Sequence, residues 1–302
     1  MNAFHKNAHV GFCLENFAPQ FGLAYILCAT QLFKENMMKN NFLNLIFVAG
    51  LFSIVALLCS CQKKSSLDLL EQIKQRGEIT VAMEGVWAPW TYHDESDELV
   101  GFDVEVAKAI AQKLGVRAKF AEVEWDGIFA GMDSKRYDIA LNGVEITPER
   151  EQKYDFSIPY GYIRTALVVR SDNSDIKTFK DLNGKVSTNS LGSTYADLAE
   201  SFGANVITID TLEETIQLVE HGRADATLNA EVSFMDYFKE HPKANVKIVA
   251  LTEEASQVAI PIRKGKETET LKAAINKAIE ELRADGTLSA ISQKYFGKDI
   301  SE

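Results

Sequence analysis

The residues Gly192-Ser193-Thr194 follow a predicted strand and open a predicted helix, and their types carry chemistry at that place. Backbone N–H groups at a helix start, with two hydroxyls beside them, form a cradle for a small anion such as a carboxylate. An ordinary turn with an N-cap is the alternative reading. A second chemical signal is Leu58-Cys59-Ser60-Cys61, which closes the apolar run from Phe42 to Leu58 behind a basic start at Met38-Lys39. That is the layout of a bacterial lipoprotein signal, cut after the small Ser60, with the Cys61 thiol as the lipidated atom. A membrane-spanning anchor is its alternative, although the run is short for a span. A diacylglycerol on Cys61 would anchor the chain without any spanning helix, since each buried CH₂ contributes about 0.8 kcal/mol. Residues 1–37 read as an over-extended start, 38–60 as the signal peptide and 61–66 as a lipidated tether.

Other chemistries are excluded by what is missing. The sequence holds no phosphate-binding P-loop, no glycine-rich dinucleotide turn, no HExxH and no GxSxG. His93, His221 and His241 stand among charged residues and read as solvated surface, so no metal site and no cofactor are expected. The cysteines are Cys13, Cys28, Cys59 and Cys61, so beyond the proposed cut there is no disulfide. With 32 Lys+Arg against 43 Asp+Glu, a net charge of −11, nucleic acid is a poor partner.

Stepping along the chain, strands alternate with helices. Glu78 to Met83 reads as an apolar strand, and Phe102, Val106, Ala107, Ile110 and Leu114 fall on one helical face closed by Gly115. A helix over Gly127 to Asp133 and a strand over Tyr137 to Leu141 follow. A second set comprises the strand Lys185 to Thr188, a helix from Thr194 to Phe202, a helix from the capping box Thr211-x-x-Glu214 to Gly222, and a strand over Ala224 to Asn229. Extended segments near Ala166 to Arg170 and Gln257 to Arg263 join the two sets. The pattern predicts an α/β fold of two lobes, 67–166 plus 260–302 and 167–259, with the site in the cleft between them.

At Glu145-Ile146-Thr147-Pro148-Glu149-Arg150, and again at Tyr154 to Tyr160, the sequence resembles the polar amino-acid solute-binding proteins of ABC importers, the bacterial extracellular solute-binding proteins of family 3. Val100 to Ala107, Trp125 to Ile128, and Asp285-Gly286-Thr287 with Tyr295-Phe296-Gly297 match the family's order along the mature chain. The resemblance implies a type II periplasmic-binding-protein-like fold whose lobes close on a ligand about a two-segment hinge. It also implies a permease and its ATPase as partners, a monomer, and a location at the cell membrane facing the periplasm or cell exterior.

An amino acid needs a fork of donors for its carboxylate and acceptors for its ammonium. Arg150, which matches the family's carboxylate-binding arginine, is the fork, with Ser193 and Thr194 completing the pocket from the other lobe. The family's usual ammonium-reading aspartate is replaced by Ala230. Glu145 is expected to supply the missing carboxylate, with Asn229 or the Gly143 carbonyl assisting; Glu231 is a rival expected to point to the opposite face of its strand. Trp87 and Trp125 are expected to sandwich the ligand side chain, Trp90 to pack in the core, and Glu84 to meet a polar or cationic group. The run Asp225 to Asn229 resembles cystine-binding members, so L-cystine is the first candidate. Because the same fold serves cyclohexadienyl or arogenate dehydratases, an enzyme with Glu145 as its acid or base is the alternative; the resemblance favours a binder over an enzyme.

Overall fold

The computed structural model describes residues 68–302; the expected signal, cut and Cys61 lie outside the described residues. The chain enters through α1 (Leu69–Arg76) and β1 (Glu78–Met83), and then a small meander of β2 (Val86–Trp87), β3 (Thr91–His93) and β4 (Leu99–Val100). Helix α2 (Phe102–Leu114) follows as expected: Phe102, Val106, Ala107 and Ile110 are buried, and Gly115 ends it at φ 76, donating its N–H to Ala111 and Gln112. A left-handed C-cap of this kind is where a residue without Cβ is favoured. Next come β5 (Arg117–Glu122), α3 (Trp125–Asp133) and β6 (Ile139–Ala140).

These strands make a parallel sheet of order β5-β1-β6. Strand β6 is shorter than the expected Tyr137 to Leu141. Asp138 turns its buried carboxylate onto the Thr80 N–H (2.7 Å) and onto Arg76, a side-chain bond where a longer strand would continue its ladder. Fully buried Val81, Phe102, Ile110 and Ile139 make the core beneath the sheet, each worth about 1.5–3 kcal/mol of apolar transfer.

Beyond α4 (Pro148–Lys153), the chain crosses through β7 (Tyr154–Phe156) and β8 (Gly161–Ile163) into a five-stranded sheet. It consists of β9 (Thr165–Arg170), β10 (Val186–Asn189), β11 (Asn205–Thr208), β12 (Ala226–Ala230) and β13 (Val246–Leu251), in the order β11-β10-β12-β9-β13. Helices α5 (Thr194–Ser201), α6 (Leu212–Glu220) and α7 (Glu231–Glu240) connect them. The chain returns through β14 (Ser256–Val258), paired with β8, and β15 (Pro261–Arg263), paired with β7. It ends in α8 (Glu269–Ala284) and α9 (Thr287–Phe296), which pack on α2.

Two α/β lobes joined by two antiparallel crossings are therefore the architecture. The segment Ala166 to Arg170, expected as a connector, is a central strand of the second sheet, because both of its edges are paired, to β12 and to β13. That sheet begins at Thr165, which pairs with Ala230, so the first crossing lies just ahead of the expected 166/167 boundary. Glu231 is no strand residue: it opens α7 and pairs with Arg164 and Lys298.

Candidate functional site

Parallel strands end at one edge of each sheet, and loops at such edges form ligand crevices. Here Glu84 follows β1, Asn142 follows β6, Ser190 follows β10 and Asp210 follows β11, and all of them line one cavity. Glu84, Trp87, Trp125, Gly143, Glu145, Arg150, Ser193, Thr194 and Asn229 line it as well, so the residues singled out from sequence meet at one place.

The first wall is the loop after β6. Gly143 sits at φ 56, and a Cβ there would lie 2.7 Å from the Trp87 ring, so the position needs glycine on both counts. Its N–H donates to Asp103 (2.6 Å), a fully buried carboxylate that also accepts from the Tyr160 hydroxyl at 2.8 Å. Burial pushes Asp103 up to about 7 against the pull of those two donors. Beyond Gly143 the loop pairs with the returning chain: Ala259 N–H donates to Val144 O and Ile146 N–H to Gln257 O, both at 2.9 Å.

Arg150 lies in α4, whose N-cap Thr147 accepts the Arg150 N–H. Its guanidinium rests over the Trp125 and Phe129 rings, at 5.3 and 5.4 Å from their centroids. One terminal nitrogen donates to the Glu145 carbonyl (3.0 Å) and the other reaches across the cleft to the Gly192 carbonyl (3.3 Å). Burial draws its pKa down, opposed by the charges of Glu145 and Asp197. The ion pairs with Glu149 or Glu151 that would make it an ordinary surface arginine do not form.

Several expected roles are redrawn. Glu145 is buried and its Oε1 accepts from the Thr194 hydroxyl at 2.6 Å, so these two groups, expected at opposite ends of the ligand, meet each other. The Ser193 hydroxyl caps α5 by accepting the Ala196 N–H (3.1 Å), which is the turn-and-cap reading of that motif. Asn229 spends its carbonyl oxygen on the Ala230 N–H (2.8 Å). The Trp125 ring carries Arg150, and Trp87 stacks on Trp90 at 5.2 Å, so each indole has a protein partner where a ligand sandwich was expected. Trp90 is fully buried, as expected.

Sequence reading missed Asn142, Tyr195 and Asp210. Asn142 holds Glu84 twice, accepting its N–H (2.8 Å) and donating to its Oε2 (2.6 Å). Burial, with the charge of Asp210 adding, raises the Glu84 carboxyl to about 7. The Trp87 indole N–H is buried without a hydrogen-bond partner; the buried Tyr195 hydroxyl lies by the Glu145 carboxylate and the Ala230 backbone, and burial first, then the Glu145 charge, raises its pKa. The strand-end rule would have pointed to Asn142, which sits where the predicted strand over Tyr137 to Leu141 stops; Asp210 follows β11, a strand that the sequence reading did not predict. Among the described residues no group of His, Cys, Asp and Glu is arranged to hold a metal, and no helix is long and apolar enough to cross a membrane.

This arrangement, a half-buried guanidinium facing acceptors across a two-lobed cleft, suits a small zwitterion. The comparisons agree on the lineage. L-cystine-binding protein TcyA of Bacillus subtilis (strain 168) is 42% identical over 236 residues, covering 78% of this chain and 87% of its own. The structure of an ancestral arginine-binding protein bound to arginine is 39% identical, with a TM-score of 0.69, over 74% of this chain and 99% of that one. The L-cystine solute receptor of Neisseria gonorrhoeae, in its unliganded open conformation, is 42% identical with a TM-score of 0.54, over 78% and 99%. Residues 79–298 match the family described as bacterial extracellular solute-binding proteins, family 3, and this chain belongs to it.

Proposed function

We propose that this protein is the extracytoplasmic, lipid-anchored substrate-binding component of an amino-acid ABC importer, capturing a polar amino acid, L-cystine first, by lobe closure and presenting it to a membrane permease with its ATPase. The observation that carries the reading is Arg150, seated on two aromatic rings and facing the Gly192–Thr194 turn of the other lobe. A guanidinium held this way offers paired donors to one carboxylate. Glu145, with the Gly143 carbonyl and Asn229 beside it, is the acceptor side for the ammonium; on ligand binding its bond to Thr194 gives way or is shared. Trp87 and Trp125 wall the side chain, and Glu84 meets its polar end.

Closure is supported by two lines. The bonds from Thr194 to Glu145 and from Arg150 to Gly192 span the two lobes, and the chain superposes better on the arginine-bound relative than on the open one despite lower identity. The inner cavity holds only about 40 Å³, little more than water needs, so a ligand enters when the lobes part. The cystine reading draws on the names of the relatives. The dehydratase alternative draws on one structural neighbour, an ancestral amino acid-binding protein described as a precursor of cyclohexadienyl dehydratase and 33% identical; it is outweighed by curated relatives named as binding proteins.

The test is thermal shift on purified protein, unfolded and refolded to strip ligand, with the twenty amino acids, cystine, cystathionine, prephenate and arogenate. A ligand at 100 times its Kd adds about 2.7 kcal/mol and a clear rise in Tm. A response to cystine supports the reading; conversion of prephenate or arogenate replaces it with the enzyme.

A further inference from the structure

Glu145 belongs to the first lobe by its backbone and to the second by its side chain. Its main chain bridges Val258 of the hinge strand β14, and its carbonyl accepts from Arg150 at 3.0 Å. Its carboxylate crosses the cleft to the start of α5: Oε1 accepts from the Thr194 hydroxyl at 2.6 Å, and the Tyr195 hydroxyl lies beside it. The residue is only 5% exposed. The first turn of a helix, with its N–H groups and dipole, favours an anion, and here that anion is the protein's own.

Arg150 is left in the complementary position. Both of its terminal nitrogens bond backbone carbonyls, Glu145 on its own wall and Gly192 opposite, and among the described residues no carboxylate pairs with its guanidinium. Arg150 and Glu145 therefore each rest on neutral partners within one cavity. Bonds in which both members are charged are the stronger kind, so a zwitterion improves both at once, its carboxylate for Arg150 and its ammonium for Glu145. The same cavity carries the Trp87 indole N–H, buried without an acceptor, which is an independent sign that a ligand oxygen enters there.

We infer that Glu145 holds, between ligands, the place on α5 that a ligand carboxylate takes, and that binding is an exchange. The incoming carboxylate displaces Glu145 from Thr194 and Tyr195, and Glu145 turns to the ligand ammonium. The inference rests on the amino-acid reading and adds a competition to it, which makes Glu145 a specificity-determining residue rather than a fixed acceptor. A carboxylate that brings no ammonium leaves Glu145 displaced, buried and unpaired. An amine that brings no carboxylate draws Glu145 off α5 and gives Arg150 nothing. Only a ligand with both groups completes the exchange. Thr194 trades one carboxylate for another, so its bond adds little net affinity.

A double-mutant cycle on Glu145→Ala and Thr194→Val separates this exchange from a bond that persists. It is read twice on the whole protein, stripped by unfolding and refolding: by urea midpoints without ligand, and by titration calorimetry with L-cystine. Without ligand the double variant should be less destabilised than the two single effects combined, by about tenfold in the folding constant, the size of one charge-assisted bond. Toward L-cystine the double variant should bind about tenfold weaker than the product of the single effects, because the bond exists only before binding. Additivity without ligand overturns the exchange, since Glu145 then does not hold α5 in the free protein. Coupling without ligand but additive affinities also overturns it, since the bond then survives binding. Both outcomes leave amino-acid capture standing. If L-cystine does not bind, whichever of the twenty amino acids gives the largest thermal shift replaces it in the calorimetry; if none binds, the amino-acid reading and the exchange fall together. Should Glu145→Ala not fold, Glu145→Gln, which keeps the volume and removes the charge, serves in the same cycle with a smaller coupling.

Discussion

The two walls of the cleft differ in how firmly their polar groups are held. On the first, residues 143–146 are stitched to the hinge strand β14 and the residue after it, Gly143 is bonded to buried Asp103, and Arg150 is seated on two rings. On the second, Ser193 caps its own helix, Asn229 bonds its neighbouring N–H, and Gly192 and Thr194 reach across to Arg150 and Glu145. The first wall is a preformed half-site, and the second completes it on closing. Changes on the first wall should therefore cost affinity outright, whereas changes on the second should act through closure.

The largest effect expected is from Arg150→Ala. Losing two charge-assisted bonds to a carboxylate costs about 3 kcal/mol or more, a fall in affinity of about a hundredfold, read by calorimetry. A loss below tenfold would move the carboxylate elsewhere and undo the contrast between the walls. Gly143→Ala strikes the same wall through its backbone. A side chain at positive φ and 2.7 Å from an indole costs about 1–3 kcal/mol, so the urea midpoint of the ligand-free protein should drop.

Glu145→Gln tests the ammonium assignment, with an expected loss of about tenfold or more, while Thr194→Val, on the opposite wall, should cost only a few-fold. Unchanged affinity in Glu145→Gln would sink the assignment; a larger effect from Thr194 would invert the comparison.

How much of this was legible beforehand differs between the same two walls. Helix α2 and its Gly115 stop could be read because periodicity and cap chemistry are local. The expected ligand-side residues do gather on one cavity, since residue type and motif mark them without regard to partner. What could not be read is who bonds to whom across the cleft. The Thr194–Glu145 bond joins residues 49 apart, and no local pattern encodes a contact made by closing two sheets. Ala166 to Arg170 was misplaced for a related reason: a continuous apolar run suits a connector or a central strand equally, and only its pairing on both edges distinguishes them.

A pH titration sharpens the outer end of the contrast. Glu84 is raised to about 7 by burial, with Asp210 adding and the Asn142 bond opposing, and Glu122 stands beside the adjoining Gly85. A ligand cation needs Glu84 ionised, so below about 7 the free protein must release that proton to bind. Affinity for a ligand with a far ammonium should fall as pH drops through 7, by up to about tenfold per unit, and level off above it. The sign for stability is opposite. The folded state holds this proton more tightly than the unfolded chain, whose carboxyl titrates near 4.5, so the ligand-free protein loses stability as pH rises from about 4.5 to 7. Calorimetry and thermal melts across pH 5 to 8 read both, and Glu84→Gln should flatten both.

A modest effect is expected from a bond that ties the walls together away from Arg150. Trp90 belongs to the first lobe by its packing against Trp87, Phe102 and Phe296, yet its indole N–H donates to the buried Ser233 hydroxyl at 3.0 Å. Ser233 lies in α7, which packs on the second sheet. Ser233→Ala leaves the Trp90 ring in its cluster and removes the acceptor, at about 1 kcal/mol. If the bond forms only when the walls meet, that energy is lost from the closed state alone, and ligand affinity falls about fivefold with the ligand-free Tm nearly unchanged. The reverse outcome, a lower Tm with affinity intact, would show that Trp90 and Ser233 stay bonded in both states. The bond would then belong to the hinge, and closure would depend on Thr194 and Gly192 alone.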